Sequence, residues 1–163
     1  MIWNRTGVLF VCMGNICRSP TAEGVFRAVA ARAGWDRRLR IDSAGTHDFH
    51  VGEPPDRRAI ASAERRGYDL RKLRARQVER RDFQRFKWIL AMDRTNLRRL
   101  RAMQPQEFDG HLGLLLELAP ELGTPEVPDP YYGGPEGFER ILDLIEPASE
   151  VLFNRVTESL PPP

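Results

Sequence analysis

The sequence predicts an α/β fold with a parallel sheet and helices on both faces. Three observations carry that prediction. Short apolar runs, Gly7 to Cys12 and Lys87 to Met92, have the continuous character of strands buried on both sides. Amphipathic stretches at helical spacing alternate with them. Gly, Pro and Asp punctuate the boundaries.

The elements follow in order. Gly7-Val8-Leu9-Phe10-Val11-Cys12 reads as the first strand. Ser19-Pro20 announces a helix, with Ser19 at the N-cap, Pro20 at the first helical position and Glu23 in the first turn. Ala22, Val25, Phe26, Val29 and Ala33 continue it, and Gly34 ends it. Residues 39–44 form a more polar second strand. Asp56 to Arg66 is helical and stops at Gly67. Residues 87–92 are the third strand, and Asp93 caps a helix running to Met103. His111 to Leu116 reads as a fourth strand, with a helical turn as the alternative for so short a run. Residues 120–135 are rich in Pro and Gly and read as a long loop. Gly137 to Leu160 is a final amphipathic helix, and Pro161-Pro162-Pro163 a frayed tail.

The 163 residues suit one domain, residues 1–160, followed by the short proline tail 161–163. No apolar run approaches a membrane span, and the first residues lack a signal-peptide pattern. A cytoplasmic location is expected. Two cysteines are too few for a disulfide scaffold. Charge is unevenly placed: residues 1–104 hold 23 Lys and Arg against 11 Asp and Glu, and residues 105–163 hold 2 against 12. The basic half raises nucleic acid as a partner. No nucleic-acid motif accompanies it, and pairs such as Arg65-Arg66 and Arg98-Arg99 read as solvated helix faces.

Both cysteines lie in Val11-Cys12-Met13-Gly14-Asn15-Ile16-Cys17-Arg18-Ser19-Pro20. The stretch is neither a Cys-x-x-Cys pair nor a Walker loop. It sits where parallel sheets bind ligands, at the C-terminal end of a strand. Curled with its N–H groups inward, the run from Met13 to Ser19 makes an anion cup at a helix N-terminus. Arg18 would grip two oxygens of a phosphate through its planar fork. Gly14 permits unusual backbone conformations, and Asn15 tolerates a left-handed one. Cys12 at the floor would meet N–H groups, a helix dipole and Arg18, all favouring an anionic sulfur. Ser19 would donate a hydrogen bond to it. The bland reading of Cys12 alone is a small buried hydrophobe at a strand end.

The assembled stretch resembles the signature loop of the low-molecular-weight protein tyrosine phosphatases. The resemblance continues in Ala22-Glu23, Asp42-Ser43-Ala44-Gly45-Thr46, Val51-Gly52 with Pro54, and Asp56-Arg58-Ala59. It extends through Ala75-Arg76-Gln77, Ala91-Met92-Asp93 with Asn96-Leu97, and Asp129-Pro130-Tyr131-Tyr132-Gly133, covering about residues 7 to 155. It implies a three-layer sandwich around a four-stranded parallel sheet of order 2-1-3-4. It implies a hydrolase that needs no metal and no cofactor. Cys12 would be the nucleophile, Arg18 the phosphate clamp and Asp129 the general acid. Asn15 and Ser43 would lock the loop, and Asp93 would stand near its arginine. Phe49, Tyr131 and Tyr132 would wall a slot for a phenyl ring, which implies tyrosine-phosphorylated proteins as substrates. Cys17 would trap an oxidised Cys12 as a reversible disulfide. The chain would act as a monomer or associate weakly through its cleft tyrosines.

The chain also departs from the pattern. Many relatives carry a histidine shortly before the Ala-Arg-Gln block, where this chain has Leu73. His47, His50 and His111 read as surface or loop residues. A thioredoxin-coupled arsenate reductase would need cysteines after Cys17, and there are none. A protein-arginine phosphatase tends to have threonine where Ile16 stands. A phosphotyrosine-binding module without turnover is the non-enzyme alternative.

Overall fold

The structure is a computed structural model that describes residues 5–163. In chain order its elements are β1 (Thr6–Cys12), α1 (Arg18–Arg32), β2 (Leu39–Gly45), α2 (Arg57–Arg65) and α3 (Asp82–Arg85). Then come β3 (Trp88–Ala91), α4 (Arg94–Met103), β4 (His111–Leu114) and α5 (Glu136–Glu158).

β1 alternates its side chains between two cores. Val8, Phe10 and Cys12 enter one, Leu9 and Val11 the other. A continuous apolar run is stable here because helices cover both faces. α1 and α5 lie on the Phe10 side, where Phe26, Ile141 and Leu152 are buried. α3 and α4 lie on the Leu9 side, with Phe83, Leu97 and Leu100. Each large side chain so buried contributes about 2–3 kcal/mol. The four strands pair in parallel in the order β2-β1-β3-β4, the sandwich and order that the resemblance implied.

Several local expectations need correction. Ser19 does not cap α1; the helix begins at Arg18 with Cys17 before it and no side-chain cap. The Ser19 hydroxyl turns to Cys12 instead. Glu23 therefore lies beyond the first turn, where it is buried and bonded to Ser43 and Arg27. The one-turn α3 has no periodicity long enough to be read from sequence. Both readings of 111–116 hold in part: β4 ends at Leu114, and Leu115–Leu118 is a 3₁₀ turn. The loop 120–135 contains another at Pro120–Leu122. The tail has a tie, since Arg38 Nη1 donates to Pro161 O at 2.9 Å.

The charge asymmetry also resolves. Arg66 is not a solvated side chain: it reaches Glu139, Asp143 and Glu146 of α5 at 3.0, 2.9 and 2.6 Å. Arg65 pairs with Glu139, and Arg32 with Glu150. The basic first part of the chain docks onto the acidic last helix. Among the described residues no helix is long and apolar enough to cross a membrane.

Candidate active site

The C-terminal end of β1 places Cys12 at the base of a cleft of about 310 Å³, with Arg18, Phe49, His50, Asp129 and Tyr131 among its lining. Asn15 N donates to Cys12 Sγ at 3.3 Å, so the loop does curl its backbone around the sulfur. Ser19 Oγ lies 3.0 Å from the same sulfur. Asn15 Nδ2 donates to that hydroxyl at 2.8 Å. With its oxygen accepting there, the Ser19 hydroxyl has its proton to give to Cys12 or, at a longer 3.5 Å, to Ala44 O.

Asn15 organises the loop. Its φ is 57°, in the left-handed region. It needs that conformation to aim Nδ2 at both Ser19 and Ser43, the second at 3.0 Å. Its Oδ1 accepts from Arg76 N at 3.0 Å. Ser43 in turn donates to Glu23 at 2.7 Å. Burial pushes the Glu23 carboxyl up, against the opposing bonds from Ser43 and Arg27. This chain of bonds supports the loop where Leu73 offers none. The unusual conformation falls on Asn15 and not on Gly14, whose φ is not positive. Its lack of a side chain serves close approach, because a Cβ there would sit 3.0 Å from the His50 ring.

Arg18 is buried and pinned from two sides. Nη1 donates to Asp93 Oδ2 at 2.6 Å and to Val127 O at 3.0 Å. Nη2 stands 3.9 Å from Asp129 Oδ2. Burial alone would lower its pKa, but Cys12, Asp93 and Asp129 overcome that and hold the guanidinium charged. Asp93 serves both of its expected roles, since its other oxygen accepts from Asn96 N at 2.8 Å and caps α4.

Asp129 is partly exposed, with Oδ1 accepting from Tyr131 N at 3.0 Å. Arg58 straps its loop down: Nη2 donates to Tyr131 O at 2.9 Å while also pairing with Asp56. Sequence reasoning passed over Arg58, because one arginine in a helix start carries no local signal of a strap. It also read His50 as a surface or loop residue, and His50 does lie in a loop. The structure puts its ring in the cleft wall, 6.5 Å from Tyr131 and bonded to Glu53. Phe49 stacks on His47 at the rim. Tyr132 is 92% exposed and only touches the mouth, so Tyr131 is the inner wall on that side.

Cys17 and Ile16 pack against Ala59, Ala75 and Phe138. Burial, then Asp56, pushes the Cys17 thiol far up. Both cysteines are free. His111 stacks on Trp88, away from the cleft, and burial with Arg155 lowers its pKa.

A family model described as low molecular weight phosphotyrosine protein phosphatase matches residues 7–161. A low molecular weight protein-tyrosine-phosphatase of Streptomyces coelicolor is 44% identical over 156 residues, 94% of each chain. A crystal structure of a protein tyrosine phosphatase from Entamoeba histolytica, with Hepes in its active site, superposes with a TM-score of 0.90. It is 38% identical and covers 94% of this chain and 97% of its own. A Drosophila arginine phosphatase superposes at 0.86 with 27% identity, over 94% and 99% of the two chains. The sequence and fold thus define a phosphoric monoester hydrolase. More narrowly, the chain belongs to the low molecular weight phosphotyrosine protein phosphatase family.

Proposed function

We propose that Cys12 and Asp129 carry the phosphatase reaction in two steps on tyrosine-phosphorylated proteins. The observation behind this is the Cys12 sulfur, which meets Asn15 N at 3.3 Å and Ser19 Oγ at 3.0 Å under a cleft bordered by Arg18 and Asp129. The cup binds the phosphate through loop N–H groups and the charged Arg18. The thiolate attacks phosphorus, and the bond from phosphorus to the phenol oxygen breaks. Asp129, entering protonated, gives its proton to the departing oxygen. Asp129 then takes a proton from water as that water attacks phosphorus. The sulfur–phosphorus bond breaks, phosphate leaves, and Ser19 stabilises the released thiolate.

The depth of the slot supports a phenyl ring over an aliphatic alcohol. Ile16, Phe49 and Tyr131 give it apolar walls. The same walls disfavour the charged guanidine of phosphoarginine, so a phosphoarginine peptide should be turned over far more slowly than a phosphotyrosine one. We read the chain as cytoplasmic and as a monomer, or weakly self-associating through exposed Tyr132. No nucleic acid or membrane enters the reaction.

The test is hydrolysis of para-nitrophenyl phosphate in EDTA under reducing conditions. Cys12→Ser should abolish turnover, and Asp129→Ala should reduce it by about a hundredfold or more. An inactive wild type would leave a loop that only binds phosphate.

A further inference from the structure

β2 is an edge strand of the sheet. Leu39 and Ile41 face the core under α1, so Arg40 and Asp42 face the opposite side. There the single turn of α3 and the segment 76–81 stand beside it in place of a full helix. The result is a cleft of about 820 Å³. That is within the range of small-ligand sites.

Five arginines and three carboxylates line this cleft. Arg76 is neutralised by Asp42 and Asp82, each at 3.0 Å. Arg81 pairs with Glu79, and Arg27 with Glu23. Arg40 and Arg85 remain, with no acidic partner among the described residues. They belong to the same end of the cleft. Arg40 is in register with Gly7, and a Cβ on Gly7 would lie 2.3 Å from Arg85 O. Two guanidinium forks without acidic partners, in a cleft of ligand size, match an anion bearing more than one phosphate.

We propose that this cleft is a second anion site, which binds a small polyphosphate through Arg40 and Arg85 and is sensed by the catalytic loop through Arg76. The Arg76 side chain forms part of the cleft wall, while its backbone N–H holds Asn15 Oδ1 at 3.0 Å. The sensing half rests on the phosphatase reading; the binding half does not.

Tripolyphosphate titrated in EDTA into the ¹⁵N-labelled full chain tests both halves by amide shifts. Residues 40–42 and 79–86 should shift saturably. Arg40→Gln with Arg85→Gln should weaken that binding at least tenfold, while shifts at 13–18 from direct cup occupancy persist. Arg85→Gln alone, at an exposed position, should weaken it about threefold and guards against misfolding of the pair. Absent cleft shifts, or cleft shifts unchanged in these variants, overturn the site. The Asn15 side-chain amide should carry a component with the cleft's midpoint that the double variant loses; persistence of all of it overturns the sensing. Turnover of para-nitrophenyl phosphate is scored separately. An inactive chain with cleft shifts would sink the phosphatase reading and keep the site, and an active chain without them would do the reverse.

Discussion

Asn15 concentrates more of the loop's geometry than any other single side chain near Cys12. Its amide bonds Ser19, Ser43 and the Arg76 backbone while its own backbone is left-handed. Asn15→Ala removes three bonds, two of them buried, and adds a strained φ, so stability should fall by about 3 kcal/mol. Asn15→Gly removes the same bonds but relaxes the backbone. The two variants separate the costs: thermal unfolding should be milder for Gly, while phosphatase turnover should fall by about a hundredfold in both. Equal activity of Asn15→Gly and wild type would show that the loop holds its shape without the amide. Asp93 illustrates a different economy, with one oxygen for Arg18 and the other for the start of α4. The residue that caps α4 thereby also orients the Arg18 guanidinium.

At the scale of elements, α2 and the loop that carries Asp129 work as a pair. Arg58 leaves the first turn of α2, lies over the Phe138 ring at 4.8 Å and holds the loop through Tyr131 O. Among the described residues, the Asp129 side chain is held only by the Tyr131 N–H and a long approach to Arg18. Freed from Arg58, the loop should sample positions in which the carboxyl misses the leaving group. Arg58→Leu should lower kcat about tenfold on aryl phosphates with poor leaving groups. The fall should be smaller, though still present, for para-nitrophenyl phosphate, whose leaving oxygen needs a proton less. Loss of activity equal on both substrates would place the effect of Arg58 elsewhere. The expected melting temperature is close to that of the wild type, since the side chain is exposed and its ion pair local.

Across the whole molecule, the α2–α5 seam joins distant parts of the chain by charge. The bond from Ser62 is the largest influence on the Glu139 carboxyl, and with Arg65 and Arg66 it outweighs the opposing effect of burial and holds the group down at about 2. Its folded pKa lies below the unfolded one, so the stabilisation is complete above the ordinary carboxylate range. It is lost as pH falls toward about 2. Urea midpoints measured from pH 5 down to pH 2.5 should drop less steeply for Glu139→Gln than for wild type. Identical slopes would remove Glu139 from the acid sensitivity. Arg66→Met should cost about 1–2 kcal/mol near neutral pH, more than an isolated surface pair, because it removes contacts to three carboxylates of α5 at once and takes from Asp143 its partner among the described residues.

The parallel sheet, the β1–loop–α1 unit and the cup were legible in the sequence because each rests on neighbours in the chain. An apolar run, a tolerant Asn15 and a helix start within a few residues of Cys12 need no distant partner to be recognised. Asp129, Ser43 and Asp93 were legible only through the spacing of family motifs, since nothing local distinguishes them from turn and cap residues. Contacts made across the sheet remained hidden. Ser19 reads both as a cap and as a donor to the sulfur, and only the meeting of β1 and α1 decides for the sulfur and adds the bond from Asn15. His50 reads as a surface residue until Gly14 allows the loop to pass beneath it. The ends of the Arg66 network are separated by more than 70 residues, and so are those of the Arg58 strap. Local preference thus determined the elements and the cup. Only tertiary packing decided which side chains meet there, because charge pairing and hydrogen bonding at 3 Å depend on where separate elements come to rest.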